Sequence, residues 1–376
     1  MNRRQLLLTL AASGIATALP RLALAAAESR QAIVGAAWRG PNKTDPYFAG
    51  ALVADWDSRQ LSIRYALPLP TRPHGILAEA DGGLLVLGVR PGTWMLRCDG
   101  GGKLMRQVRL DEDETTARLG GHATPSADGT LIYTTETDQR NGRGMVGVRD
   151  RRTLNKLAEW DSHGIDPHQL LLDAQGNVIV ANGGVPRTVE DKKYDLQRMD
   201  PSLVRLDAGS GKLLRQWRLD DPRLSLRHLA WNTSSRDGQA RLGVALQAEH
   251  GDPVLRKAAP VLAVLEGDRL RVPTRANDGI GYAGDIAAAG DGGFVTSSNQ
   301  AGLAQLWQPA SPDGLATVAA IKEAYALAPW AGPAGGGVLV ATALGLGRWH
   351  PTAAPALLPW PQPMALDNHW VLLSES

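Results

Sequence analysis

One recurring unit constrains this chain more than any other feature. It is a histidine or aspartate leading a short apolar run, then an Asp-Gly or Gly-rich turn, then further short apolar runs. The clearest copy is residues 120–148, GGHATPSADGTLIYTTETDQRNGRGMVGV, where His122 precedes the Asp128-Gly129 turn and the run 131–135. Short β-rich runs joined by tight turns specify antiparallel strands. The leading positions His74, His122, His168, His228, Asp285 and Ala328 lie 48, 46, 60, 57 and 43 residues apart. Four short strands every ~40–50 residues are the pattern of propeller blades.

Six such units are complete, and the two ends supply a seventh. Residues 32–67 hold three strand candidates without a leader, while 367–373, DNHWVLL, is one isolated strand that starts with a histidine. Set innermost in front of 32–67, it closes a blade from both termini and removes exposed sheet edges. The expected fold is therefore all-β, a seven-bladed β-propeller forming a single domain over 32–373. Its seventh blade is closed by the N-terminal strands plus the C-terminal strand. Gly 42 and Pro 24 suit the many turns this needs. The longest inserts, 186–199 and 248–259, are charged and lie between strands, so they read as surface loops. The first is long enough to cover one face.

The N-terminus reads as an export signal over residues 1–25. Arg3-Arg4 precedes a mildly apolar run, and Ala23 and Ala25 offer a small-residue cleavage site. Paired arginines before such a run point to the twin-arginine route and a periplasmic protein. Leu6 fills the apolar position of that pattern and the usual lysine is missing, so an ordinary secretory signal is the alternative. Removing residues 1–25 takes away Arg3, Arg4 and Arg21 and no acid, which moves the net charge from +2 to −1. That is no electrostatic footprint for nucleic acid or an anionic membrane surface. After the N-terminus no apolar stretch is long enough to span a membrane. A single cysteine, Cys98, excludes an internal disulfide and a Cys-rich zinc site. The mature chain is expected as a monomer.

Chemistry is concentrated in the leaders. Inner strands line the central channel of a propeller, so one register in every blade makes a ring around the axis. His74, His122, His168, His228 and His369, with Asp285, are the candidate metal ligands, five of the eight histidines in one register. Imidazole suits copper, zinc and iron. The same residues would alternatively bond the backbone of a neighbouring blade. Arg72, Arg227 and Tyr282 lie near the leaders and are candidate groups for binding an anionic ligand, with inter-blade salt bridges the other reading of the arginines. The tryptophans, Trp38, Trp56, Trp94, Trp160, Trp217 and Trp307 among them, are expected to pack between blades. The chain has no G-x-S-x-G elbow, P-loop, dinucleotide fingerprint or H-E-x-x-H, and no catalytic residue is assigned.

The blocks GHATPSADGTLIYTTETDQRNGRGMVGVRD, GIDPHQLLLDAQGNVIVANGGV, MDPSLVRLDAGSGKLL and LSLRHLAW resemble the bacterial family known as domain of unknown function 1513. That family is similar to propellers of the YVTN and lactonase type. Its members carry twin-arginine signals and are encoded beside imelysin-like iron-uptake proteins and a di-haem oxidoreductase. The resemblance implies a periplasmic role in acquiring iron or another metal, with imelysin-like proteins as partners and iron or copper as the ion. Family blocks match His122, His168 and His228, while Ala123 and Gln169 depart from the family's Gly and Glu. Two rival readings stand beside metal binding: a lactonase-like hydrolase using a channel-mouth metal, and an interaction scaffold without a small-molecule site.

Overall fold

The computed structural model describes residues 31–112, 116–330 and 336–375. The expected export signal lies outside these residues, as does Gly335 of the sixth unit's turn. Within them, seven four-stranded antiparallel sheets form a seven-bladed propeller. The C-terminal strand Ala365–Glu375 pairs with Gln31–Arg39, which pairs with Tyr47–Asp55 and then Gln60–Pro68. Chain closure by both termini is therefore as expected.

The other six blades follow in order, with innermost strands Pro73–Ala78, Ala117–Pro125, Pro167–Leu172, Leu224–Thr233, Asp285–Ala288 and Leu327–Trp330. Each innermost strand packs beside the next, and the last packs beside Ala365–Glu375, so the ring is continuous. The Asp-Gly positions form tight turns because glycine accepts positive φ: Gly129 sits at 70° while Asp128 accepts the Thr130 N–H.

The hydrophobic core lies between blades rather than inside one sheet. Ile179, Ala181 and Leu203 of the fourth unit from the N-terminus, for example, meet Leu224, Leu226, Leu242 and Leu246 of the fifth. Burying each leucine stabilises the stack by about 1.5–3 kcal/mol. Trp38, Trp94, Trp217 and Trp307 are buried in these seams, and Trp56 and Trp160 pack against them. The insert expected to be a loop at 248–259 differs in one respect: Pro253–Ala258 is a short helix. Asp252 caps it by accepting the Val254 N–H, and Pro253 supplies a preset φ at its first position.

Candidate metal centre

Five of the seven innermost strands carry an irregularity that a histidine occupies, and the C-terminal strand has a second one without a histidine. Pro73 faces Gly88 and Ile76 faces Val86, so three steps on the inner strand match two on its partner. The register breaks likewise between Leu119 and Ala123, Pro167 and Leu170, and Leu226 and Leu229, and opposite Ala36 to Trp38 in the C-terminal strand. These bulges hold His74, His122, His168, His228 and His369. The strands led by Asp285 and containing Ala328 pair without a break. A bulge bends its strand and re-aims a side chain that strict alternation would send into a blade seam. Here it turns five imidazoles together.

The rings form one cluster. Centroid separations run from 4.4 Å for His228–His369 to 6.3 Å for His74–His228, and most contacts are edge-to-face. Two glycines permit this approach. A Cβ on Gly121, whose φ is 104°, would lie 2.6 Å from the His74 ring, and one on Gly75 would lie 2.2 Å from the Gly121 carbonyl oxygen.

His74, His122, His228 and His369 each offer one donor atom, and these four atoms lie within 4.8 Å of one another. Tetrahedral coordination at ~2.0–2.1 Å would place such nitrogens about 3.4 Å apart, which small side-chain rotations reach from here. Each of the four also has a buried nitrogen without a protein partner: Nδ1 of His74 and His228, and Nε2 of His122 and His369. A buried polar atom left unpaired costs about 1–3 kcal/mol. A bound ion would offset that cost, so the donor set fits a metal.

His168 belongs to the same cluster of rings but not to the four-donor group. Its Nε2 lies 2.8 Å from His228 Nε2, and its Nδ1 lies 3.5 Å from Arg90 Nη1. Burial above all, then the positive neighbours, holds His74, His122, His168 and His228 well below the ordinary imidazole range. These rings are neutral near pH 7, the state a metal ligand requires.

Asp285 reaches only one member of the ring. Its Oδ2 is 3.6 Å from His369 Nδ1 and accepts the Leu327 N–H at 2.9 Å, while Oδ1 accepts the Ile286 N–H. It orients an imidazole rather than adding to the four clustered donors. Ala328 is buried in the apolar seam with Ala32, Val34 and Leu339. Gln169, where the resembling family has Glu, uses its amide oxygen to accept the Leu229 N–H of the next blade.

Around the rings lies a layer of ion pairs. Arg72 grips Asp367 with two bonds, 2.8 and 3.1 Å. Asp166 meets Arg90 at 2.9 Å, Arg187 at 3.2 Å and Arg227 at 2.9 Å. Burial opposes ionisation of Asp166, but the three arginines outweigh it and hold its carboxyl below the usual range. Arg227 is almost fully buried, which pushes its pKa down to about 10 against the pull of Asp166. Tyr282 lines a cavity with Lys193, Glu249 and Arg256. The two candidate arginines thus join blades, and Tyr282 lies by the same layer: burial pushes its hydroxyl up while Arg227, Arg72 and Arg90 pull it down.

Sequence reasoning did not single out Arg90, Asp166 or Asp367. A local signal exists, since Arg72, Asp166 and Asp367 each sit two residues before a ring histidine. The insert 186–199 is anchored to this layer: Arg90 pairs with Asp191, and Lys193 reaches Glu249 in the other insert.

The family described as Protein of unknown function (DUF1513) matches residues 67–373. The chain belongs to this family. No curated protein matches it. Among solved structures, the virginiamycin B lyase of Staphylococcus aureus is similar at a TM-score of 0.50 and 13% identity, covering 77% of this chain and 85% of that one. A structure described as a streptogramin B lyase gives a TM-score of 0.50 and 12% identity, covering 78% and 86%. Likeness at this identity shows the propeller fold alone, in agreement with the seven sheets.

Proposed function

We propose that this family member is an exported, periplasmic propeller that binds a metal ion or metal complex at the axial histidine cluster and serves metal acquisition in an iron-uptake setting. The observation that carries the reading is the group His74, His122, His228 and His369, four donor atoms from four blades within 4.8 Å of one another. Burial favours binding an ion over turning over a substrate, since every ring histidine is less than a tenth exposed. Metal analysis of protein isolated from the periplasm tests the proposal, with a His122/His168/His228 triple alanine variant as control. The expected result is metal in the native protein and none in the variant. A native protein that carries no metal, and whose apo form takes up neither iron nor copper, overturns it.

A second reading, a protein-interaction face, has its own support. The two inserts joined by Lys193 and Glu249 expose Val189, Tyr194, Val254 and Leu255. Apolar groups of this kind suit a protein partner, for which the family resemblance suggests an imelysin-like protein. Val254→Glu with Leu255→Lys is expected to abolish co-purification with that partner while leaving metal content unchanged.

A further inference from the structure

We propose that the ion selected by this centre is monovalent copper. The inference rests on the metal-binding reading above and deepens it. The ion held at the axis and the ion acquired by the surrounding system are separate assignments.

Donor chemistry narrows the field first. Among the described residues the clustered side-chain set is all imidazole, with no carboxylate or thiolate among its members. Ferric iron, manganese, magnesium and calcium favour oxygen donors, whereas imidazole suits copper, zinc, nickel and ferrous iron. Carboxylates near the rings are already engaged: Asp367 holds Arg72, and Asp166 holds three arginines.

Charge narrows it further. The rings are buried, and an ion held by neutral ligands keeps its full charge in a poorly solvated place. Arg90 Nη1 lies 3.5 Å from His168 Nδ1, and buried Arg227 directly precedes His228 in its strand. Their charges, with that of Arg187, exceed those of Asp166 and Asp191, with which this group pairs, by one unit. Against this stands Asp285, whose described ion pair is with a ring histidine and not with an arginine or lysine. With Asp285 counted these charges balance, so a monovalent ion adds the smallest buried excess. A divalent ion would leave a larger excess, and a trivalent ion a larger one still.

Geometry does not oppose the assignment. Filled-shell monovalent copper imposes no square or octahedral arrangement, so it accepts two to four nitrogens from four blades without a preset angle. A divalent copper ion would instead ask for a tetragonal set, a demand the monovalent ion does not make.

The test is an anaerobic competition on the mature protein. Cu(I) is supplied against a chromophoric Cu(I) chelator, and Zn(II), Fe(II) and Fe(III) citrate are titrated separately. The expected result is one Cu(I) per chain, bound at least 100-fold more tightly than Zn(II) or Fe(II), with only nitrogen neighbours in its X-ray absorption spectrum. His122→Gln and His369→Gln, checked for folding by circular dichroism, are each expected to weaken Cu(I) at least 100-fold. Asp285→Asn removes one negative charge, so it should weaken Zn(II) more than Cu(I) and widen the preference for Cu(I). Tighter binding of Zn(II) or iron overturns the copper assignment while leaving the metal centre standing. A folded protein that binds none of these ions overturns both.

Discussion

His168 Nε2 lies 2.8 Å from Nε2 of His228, two buried neutral rings from neighbouring blades. Two bare lone pairs cannot sit at that separation, so one nitrogen carries a proton. Arg90, which can only donate, faces Nδ1 of His168 at 3.5 Å, and this places the His168 proton on Nε2. In the metal-free protein His228 then accepts at Nε2 and carries its own proton on Nδ1, and that proton must leave before the nitrogen can ligate an ion. The tautomers of these two rings are thus set from outside the cluster.

Imidazole nitrogen spectra of the metal-free protein should show the Nε2–H form for His168 and the Nδ1–H form for His228. Arg90→Met should erase the preference at both residues. Identical spectra for the two proteins would overturn this assignment.

Asp285 makes its mark through His369, which it approaches at 3.6 Å. Removing a carboxylate that orients a ligating imidazole typically lowers metal affinity about 10- to 100-fold. Asp285→Asn keeps its shape and is expected to fall in that range, with little change in thermal unfolding of the metal-free protein. Unchanged affinity would reduce Asp285 to a blade-to-blade linker through Leu327.

Ala328 occupies the position in its unit that histidine holds in five others, yet its strand has no bulge and it faces an apolar seam. Ala328→His should therefore not add a ligand. It is expected to overpack the seam and destabilise the fold by about 1–3 kcal/mol, leaving metal stoichiometry unchanged. Denaturant unfolding and metal titration together check this, and a gain in affinity would show that register alone suffices.

Glu136 is fully buried, 2.6 Å from Arg149 and 2.7 Å from Lys156. Burial pushes its carboxyl up, but Arg149 and then Lys156 outweigh it and leave it below its ordinary value of 4.5. A depressed carboxyl contributes stability above that value and loses it as pH falls through the folded value. Arg149→Met leaves the charge with only Lys156, and the expected cost at pH 7 is about 3–5 kcal/mol. The gap between native and variant should narrow below pH 4.5, because protonation removes the stranded charge. Denaturant unfolding across pH checks it. A gap that stays constant would show that the loss comes from packing.

Much of this molecule is written locally. Asp-Gly turns and alternating apolar runs announce strands one by one, and their spacing counts the blades. The orphan strand at His369 and the leaderless strands at 32–67 each lack what the other has, so closure by both termini is readable without coordinates. The register of the leaders also marked the histidines as one set.

Tertiary structure decided where those side chains point. A bulge is a mismatch between two strands, and the spacing within one strand does not record it, so Ala328 and the five histidines look equivalent until the pairing is known. The same holds for the ion pairs, since Arg90 and Asp166 are 76 residues apart and meet only across blades. The sequence determined that imidazoles recur at the start of the inner strands. Only the packing of bulged strands around the axis determined that four of them offer donor atoms within 4.8 Å of one another, while the fifth positions a proton and Asp285 orients a ring.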